Sequence, residues 1–198
     1  MKKRTVSLLL TLCLLLTLLP TAASAQDMNA KPTLLEVGGV SIIEGGYWKG
    51  DGNGGLVKTN ASDYTVYYEA GTRNLTLNGA DIRNGSASRY GLIYTIQAQI
   101  FAGIHTDGSL VITLIGENTV DLTDLGEIKG DCAGIALGCE YQWLTFTGTG
   151  SLTVQSGEAT GHSFGIFTRA SVTVGATRGE DLANDNCTVT ALGGQCGY

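Results

Sequence analysis

The sequence predicts an all-β fold built from short repeated strands, and three features predict it. Glycine is unusually frequent, and all 29 glycines follow residue 25. Pro32 is the one proline in that same part of the chain. Between the glycines, short segments alternate apolar residues with threonine, a pattern typical of half-buried strands. Similar segments return about every 31 residues. Such a period indicates a repeat fold.

The first 25 residues have the pattern of a secretory signal peptide. A basic segment at residues 2–4 precedes an apolar run at residues 8–19, and small residues at 23–25 suit signal peptidase. The apolar run is shorter than the roughly 20 residues that a membrane-spanning helix needs. We therefore expect residues 1–25 to be removed and the mature chain to be secreted, without membrane insertion.

The mature chain is expected to be acidic. The formal net charge of the whole chain is −6, and it becomes −9 when the three basic residues of the signal leave without any acidic residue. An acidic surface disfavours nucleic acid, so we expect no nucleic-acid partner. It suits divalent cations, although solubility alone would explain it equally well.

Three segments of the mature chain begin alike. They are Ala102-Gly103-Ile104, Ala133-Gly134-Ile135 and Phe164-Gly165-Ile166, spaced 31 residues apart, and Cys196-Gly197-Tyr198 begins a fourth unit. Each unit then has a first alternating run, a glycine and a second alternating run. The first runs are residues 110–114, 143–146 and 171–174; the glycines are Gly116, Gly148 and Gly175; the second runs are residues 119–122, 152–154 and 187–190.

This repeat favours a parallel β-helix (a β-solenoid), in which each unit of about 31 residues makes one coil. Strands of successive coils would pair about 4.8 Å apart and stack Ile104, Ile135 and Ile166 in a core column. The glycine before each isoleucine would lie at a corner, where the backbone needs an unusual angle or a close approach. Propeller blades need about 40 to 45 residues. A β-sandwich is the alternative, but it gives no reason for the period.

The interpretation divides the chain into three regions. Residues 1–25 are the signal peptide, and residues 26–63 are an N-terminal cap or mobile segment that covers the first open edge. Residues 64–198 are the β-helix, with an earlier coil at residues 64–82 and a strand near residues 92–96. Because the fourth unit stops at once, we expect a C-terminal truncation, with further coils and cell-wall attachment in the missing region.

Several of these segments resemble a known family. Asn-Leu-Thr-Leu-Asn-Gly-Ala-Asp-Ile at residues 74–82 is followed by Gly-Ser-Leu-Val-Ile-Thr-Leu at 108–114 and Gly-Thr-Gly-Ser-Leu-Thr-Val at 148–154. They resemble secreted β-helical carbohydrate-binding domains of Gram-positive, plant-wall-degrading bacteria, over residues 64–198. The resemblance implies a right-handed parallel β-helix, binding of acidic plant polysaccharides such as pectin, and bound calcium. It maps no ligand-binding residue of the family onto this chain.

Acidic residues in one connection between strands are the candidate metal ligands. Calcium needs six to eight oxygen ligands, several of them from carboxylates. The candidates are Asp121, Asp124, Glu127 and Asp131. A second acidic group lies at residues 180–186. Neither group has the spacing of a known calcium-binding loop, and ordinary solvated loop charge is the simpler explanation.

Aromatic residues on the strands are the candidate sugar-binding groups, because sugar rings stack on exposed aromatic faces. The candidates are the aromatic residues Trp48, Tyr90, Tyr141, Trp143 and Phe167, together with the cation Arg169. Phe167 follows Ile166 directly, so the two side chains should point to opposite faces of their strand. Arg169 would offset the repulsion between an acidic sugar and an acidic protein. Core packing is the alternative role for at least one ring.

The sequence favours binding over catalysis. We expect His105 and His162 to be surface or turn residues, and no Gly-x-Ser-x-Gly motif is present. The predicted function is a non-catalytic, secreted or surface-attached polysaccharide-binding module that is monomeric in its full-length form. The alternatives are a structural or adhesin solenoid of the cell surface and a calcium-dependent polysaccharide lyase with Arg169 as its base.

The cysteines leave two possibilities open. Cys132, Cys139, Cys187 and Cys196 follow the signal, and an exported protein can form disulfides. Four cysteines allow three pairings, among which the sequence does not choose. Buried free thiols are equally consistent with the pattern.

Overall fold

The structure, a computed structural model, describes residues 30–91, 97–138, 142–169, 171–175 and 186–196. Across these residues the protein is all-β, which confirms the predicted class, and the one helical element is a 3-10 turn at Thr123–Leu125. None of the described helical residues forms a segment long and apolar enough to span a membrane. The signal sequence, the strand expected at residues 92–96, Cys139, Tyr141 and residues 176–185 lie outside the described residues.

The strands of the described residues, in chain order, are β1 (Leu35–Val37), β2 (Val40–Ser41), β3 (Gly46–Gly50), β4 (Leu56–Lys58), β5 (Val66–Tyr68), β6 (Asn74–Asn78), β7 (Asp81–Ile82), β8 (Ser86–Gly91), β9 (Gln97–Thr106), β10 (Leu110–Ile115), β11 (Glu117–Asp121), β12 (Asp131–Leu137), β13 (Trp143–Gly148), β14 (Ser151–Gln155), β15 (Ser163–Phe167), β16 (Ser171–Val174) and β17 (Thr188–Leu192).

The strands form three sheets, and successive repeat units add one strand to each sheet. Sheet 1 has the order β15-β12-β9-β1-β2, with β8 also paired to β9. Sheet 2 has the order β16-β13-β10-β6-β5-β3-β4, and sheet 3 has the order β17-β14-β11-β7. Every pairing between equivalent strands of neighbouring units is parallel.

The register of these parallel pairs places equivalent residues of the repeat side by side. Ile135 lies opposite Ile104 on one side and Ile166 on the other, as the repeat predicts. Ile104 and Ile135 are fully buried in the main core, and Ile166 packs against it. The predicted runs coincide with β10, β13 and β16 in sheet 2 and with β11, β14 and β17 in sheet 3.

Glycine has two different roles in this arrangement. The turn glycines Gly116, Gly148 and Gly175 have φ values of 65°, 100° and 96°, a conformation that L-residues with side chains rarely adopt. The glycine before each core isoleucine was expected at a corner, and that placement is wrong, because these glycines lie inside strands. At Gly134 a Cβ would lie 2.1 Å from Cγ1 of Val154, so a close approach explains the glycine there.

The described part of the expected N-terminal cap contributes strands to sheets 1 and 2. From residues 30–63, β1 pairs antiparallel with β9, and β3 pairs antiparallel with both β4 and β5. β5 was expected to belong to an earlier coil, but it pairs antiparallel with β6, so the parallel arrangement of sheet 2 begins at β6. Trp48 from this region is buried in the main core, so its expected role as an exposed sugar-binding ring is wrong; Tyr68 on β5 is buried in the same core.

The cysteines of the described residues are free thiols: Cys132, Cys187 and Cys196. Cys132 is fully buried and packs with Leu122 and Ala159. Burial raises the pKa of the Cys132 thiol, which keeps it protonated and unreactive. For these three cysteines the structure therefore favours free thiols over disulfides.

Candidate functional site

Trp143 lies on the outward face of sheet 2. Its neighbours Leu144 and Phe146 on β13 are fully buried in the core, and successive side chains of a strand point to opposite faces. Trp143 itself is half-buried. The alternation that made it a candidate for sugar binding therefore directs its ring away from the core.

A surface groove of about 390 Å³ lies beside Trp143. Its lining residues are Lys31, Thr72, Arg73, Asn74, Val111 and Trp143. The guanidinium carbon of Arg73 lies 5.3 Å from the centre of the Trp143 ring, which is the geometry of a cation–π contact. The contact orients both side chains at the edge of the groove.

Asp107 positions Lys31 at this groove. Oδ1 of Asp107 accepts hydrogen bonds from the backbone N–H groups of Thr33, at 2.8 Å, and Leu34, at 2.7 Å. The backbone N–H of Ser109 donates to the carbonyl of Ala30 at 3.1 Å. These bonds hold the segment on both sides of Lys31 against the turn between β9 and β10, next to the start of β13.

The groove combines an aromatic ring with two cations and uncharged polar groups. Lys31 and Arg73 are positively charged, whereas the chain as a whole carries a net charge of −6. Thr72 and Asn74 add a hydroxyl and an amide that can donate or accept hydrogen bonds. A ring face, hydrogen-bonding groups and cations are the features that a carboxylated sugar requires.

The structure separates the sequence-predicted sugar-binding residues. Phe167 lies on sheet 1, where it packs against Phe164 with ring centres 5.1 Å apart, and it points away from the main core as predicted. Arg169 lies in the turn before β16, two residues ahead of Ser171, the register partner of Trp143. Arg169 thus precedes the strand that pairs with β13, Phe167 is on another sheet, and Tyr141 lies outside the described residues.

The predicted metal ligands interact with different partners. Asp121 accepts hydrogen bonds from Oγ1 and the backbone N–H of Thr123, which lower the pKa of Asp121. Asp124 lies 3.6 Å from Arg83, and Glu127 is exposed in the following turn. Asp131 accepts from the backbone N–H of His162 at 2.8 Å, and Nδ1 of His162 lies 3.2 Å away.

The four carboxylates consequently do not form one cation site. Among the residues that the structure describes, no three His, Cys, Asp or Glu side chains come together as a possible metal site. Arg83 and His162 already face three of the four predicted ligands. Calcium binding stays a prediction from the sequence.

Ser163 and His162 do not form a nucleophile and its base. The hydroxyl of Ser163 donates to the carbonyl of Gly157 at 2.8 Å and accepts from the N–H of Gly194 at 2.7 Å. These bonds give Ser163 a structural role between neighbouring turns, while the ring of His162 faces Asp131.

His105 is buried, and its predicted surface position is wrong. Its exposed fraction is 1%, whereas the side chain of His162 is 76% exposed, as predicted. Among the described residues, neither ring nitrogen of His105 has a hydrogen-bond partner, and Nδ1 lies 4.0 Å from Oε2 of Glu36. Desolvation lowers the pKa of His105, although Glu36 and Asp107 oppose this effect.

This burial predicts a fall in stability at acidic pH. Because the folded-state pKa of His105 is lowered, its contribution to stability is complete above the unfolded value of about 6.5. The contribution is lost as the pH falls from there through the folded-state pKa. We expect His105→Met to reduce the drop in unfolding free energy between pH 7.5 and pH 5.5, measured by urea denaturation at about those two values.

The exposed histidine supplies the control for this experiment. His162→Met also removes one histidine, but from a side chain that is 76% exposed, so it should alter the pH dependence of stability less than His105→Met does. An unchanged pH dependence in His105→Met would contradict the role assigned to His105.

The fold and the groove together define an all-β protein with a groove on the outward face of a sheet that is lined by an aromatic ring and two cations. Comparisons with protein-family models, with curated proteins and with solved structures found no match.

Proposed function

We propose that this chain is a non-catalytic, secreted or surface-attached module that binds acidic polysaccharide, and that its fold is a right-handed parallel β-helix. Two properties support the fold: the 31-residue period and the parallel pairing of equivalent strands in three sheets. Export is supported by the signal-peptide pattern of residues 1–25.

The observation that carries the binding proposal is the contact between Arg73 and Trp143 at the groove that Lys31 also lines. An indole ring can pack on the apolar face of a pyranose, while Arg73 and Lys31 pair with its carboxylate. Two cations concentrated at one site explain how an acidic protein would bind an acidic glycan. The resemblance of residues 74–82, 108–114 and 148–154 to pectin-binding β-helical domains implies the same class of ligand.

Removing the ring should weaken binding strongly. We expect Trp143→Ala to bind polygalacturonate at least about fivefold more weakly than the unmodified protein, because stacking on a partly desolvated ring contributes about 1 kcal/mol or more. Arg73→Gln should also weaken binding and should reduce its sensitivity to salt, since salt screens exposed charge pairs. Isothermal titration calorimetry at two salt concentrations, with calcium and with EDTA, measures both effects.

Phe167→Ala is the matched control, because Phe167 is also half-buried but lies on sheet 1. It should leave the affinity for polygalacturonate within about twofold. Equal affinities for Trp143→Ala and the unmodified protein would refute the groove as the binding site. Absorbance of an unsaturated product during incubation would instead identify the lyase that the sequence left as an alternative.

A further inference from the structure

The outward face of sheet 2 carries an unbroken row of hydroxyl-bearing side chains. Tyr47 pairs with Tyr67, Tyr67 with Thr76, Thr76 with Thr113, and Thr113 with Thr147. The row therefore crosses five neighbouring strands. At about 4.8 Å per strand it is about 19 Å long, and it runs perpendicular to the strands.

All five side chains of this row lie opposite the core. Trp48, Val66 and Leu75 precede or follow row residues along their strands and are buried in the main core. The row residues themselves are half-buried, as expected for the outward positions of alternating strands. The row also lacks charged side chains, so it presents rings at one end and hydroxyl groups along the rest.

The aromatic end of the row is ordered before any ligand arrives. The rings of Tyr47 and Tyr67 are stacked with centres 4.6 Å apart and an interplanar angle of 22°. Tyr64 packs against Tyr47 at 5.3 Å and against Tyr67 at 6.1 Å. Rings that hold one another in place lose little conformational entropy on binding, so a ligand that contacts them gains more of the interaction energy.

The row adjoins the groove of Trp143. Asn74 and Val111 line the groove and are register partners. Val111 is also the register partner of Thr145 on β13, so these three residues form a second row. This neighbouring row lies two residues from the tyrosine and threonine row on the same face of the same strands. A chain-like ligand that enters the groove can therefore extend across the outward face without leaving it.

We propose that the row Tyr47, Tyr67, Thr76, Thr113 and Thr147 forms additional subsites for an extended polysaccharide chain whose acidic sugar occupies the Trp143 groove. This inference rests on the proposed function. The tyrosine rings pack against apolar faces of sugar rings, and the hydroxyl groups of the row exchange hydrogen bonds with sugar hydroxyls. The ligand is consequently a long linear glycan rather than a single sugar or a chain end.

The test compares a disaccharide and an octasaccharide of galacturonate by calorimetry. The octasaccharide should bind the unmodified protein at least about tenfold more tightly, because each occupied subsite raises the effective concentration of the next. Tyr67→Thr replaces one strand-favouring residue with another and keeps a hydroxyl, but it removes the ring. This variant should lose most of the increase in affinity from disaccharide to octasaccharide, and its affinity for the disaccharide should be unchanged.

Two threonine variants test the hydroxyl part of the row. Thr113→Val removes one hydroxyl at constant shape and should lower octasaccharide affinity about threefold. Thr153→Val is the matched control, because Thr153 is an exposed threonine in the middle of β14 on sheet 3. Thr153→Val should change neither the affinity for the disaccharide nor the affinity for the octasaccharide.

The outcomes separate this inference from the function on which it rests. If the disaccharide binds through Trp143 but the octasaccharide gains nothing, or if Tyr67→Thr keeps the gain, the row is not a binding surface and the groove still is. If neither oligosaccharide binds, the proposed function and the row are both refuted. Circular dichroism of each variant verifies that the strands remain folded.

Discussion

Gly134→Ala should destabilise the protein by about 3 kcal/mol or more, because the added methyl group has no space. A Cβ at Gly134 would lie 2.1 Å from Cγ1 of Val154 and 2.8 Å from the carbonyl oxygen of Gly165. Val154 is buried in the main core and Gly165 belongs to the neighbouring strand, so neither can move without disturbing other residues. Urea denaturation followed by circular dichroism measures the loss.

Gly50→Ala is the control for this substitution. Gly50 also lies in a strand, and a Cβ there would have no atom within 4 Å. Its unfolding free energy should stay within about 0.5 kcal/mol of that of the unmodified protein. Comparable losses in the two variants would mean that the cost comes from the backbone and not from the contact with Val154.

Asn118→Asp should destabilise the protein by about 3 kcal/mol at neutral pH, although the two side chains have nearly the same shape. Asn118 is 2% exposed. Its Oδ1 accepts from the N–H of Ala80 at 2.9 Å, and its Nδ2 donates to the carbonyl of Ser151 at 3.0 Å and to those of Ile115 and Gly116. A carboxylate would retain the first bond but would place negative charge against three carbonyl oxygens.

The pH dependence of this variant identifies the cause of the loss. Burial and the carbonyl oxygens should raise the pKa of the new carboxyl group, so acidification should recover part of the stability. Asn60→Asp is the control. The Oδ1 of Asn60 accepts hydrogen bonds from the backbone N–H and the hydroxyl of Ser62, and a carboxylate oxygen can accept the same two bonds. If Asn118→Asp loses no more unfolding free energy than Asn60→Asp, the hydrogen bonds donated by the amide of Asn118 contribute little to stability.

The sequence predicted the repeating strands well because the signals for them are local. An alternating run and a terminal glycine specify a strand and its turn within about ten residues, and β10, β13 and β16 appear where their runs predicted. The pairing of β5 was not predicted correctly. Its alternation is the same whether it pairs parallel or antiparallel, and only the neighbouring strand decides between them.

The candidate site was predicted in part, for the same reason. Alternation along β13 indicated that Trp143 points outward, but Arg73 and Lys31 are about 70 and 110 residues away in the sequence. Arg73 reaches the ring because β6 pairs with β10 and β10 pairs with β13. Lys31 arrives through the bonds of Asp107, a residue with no distinguishing local pattern.

His105 marks the limit of local patterns in this chain. Its position directly after the core residue Ile104 directs its side chain away from the main core, but that direction does not specify whether the side chain reaches solvent. Its burial depends on the tertiary structure around sheet 1, including Glu36 on β1, which pairs with it across 69 positions of sequence.

By itself, the sequence determined the all-β class, the period of 31 residues, the turn glycines and the residues that face the core, because each depends on steric and hydrophobic preferences within one strand and its turn. The tertiary structure decided which strands pair, and with them the groove of Trp143, the separation of the four acidic residues and the burial of His105. These features join residues that lie tens of positions apart, and only the register between strands brings such residues together.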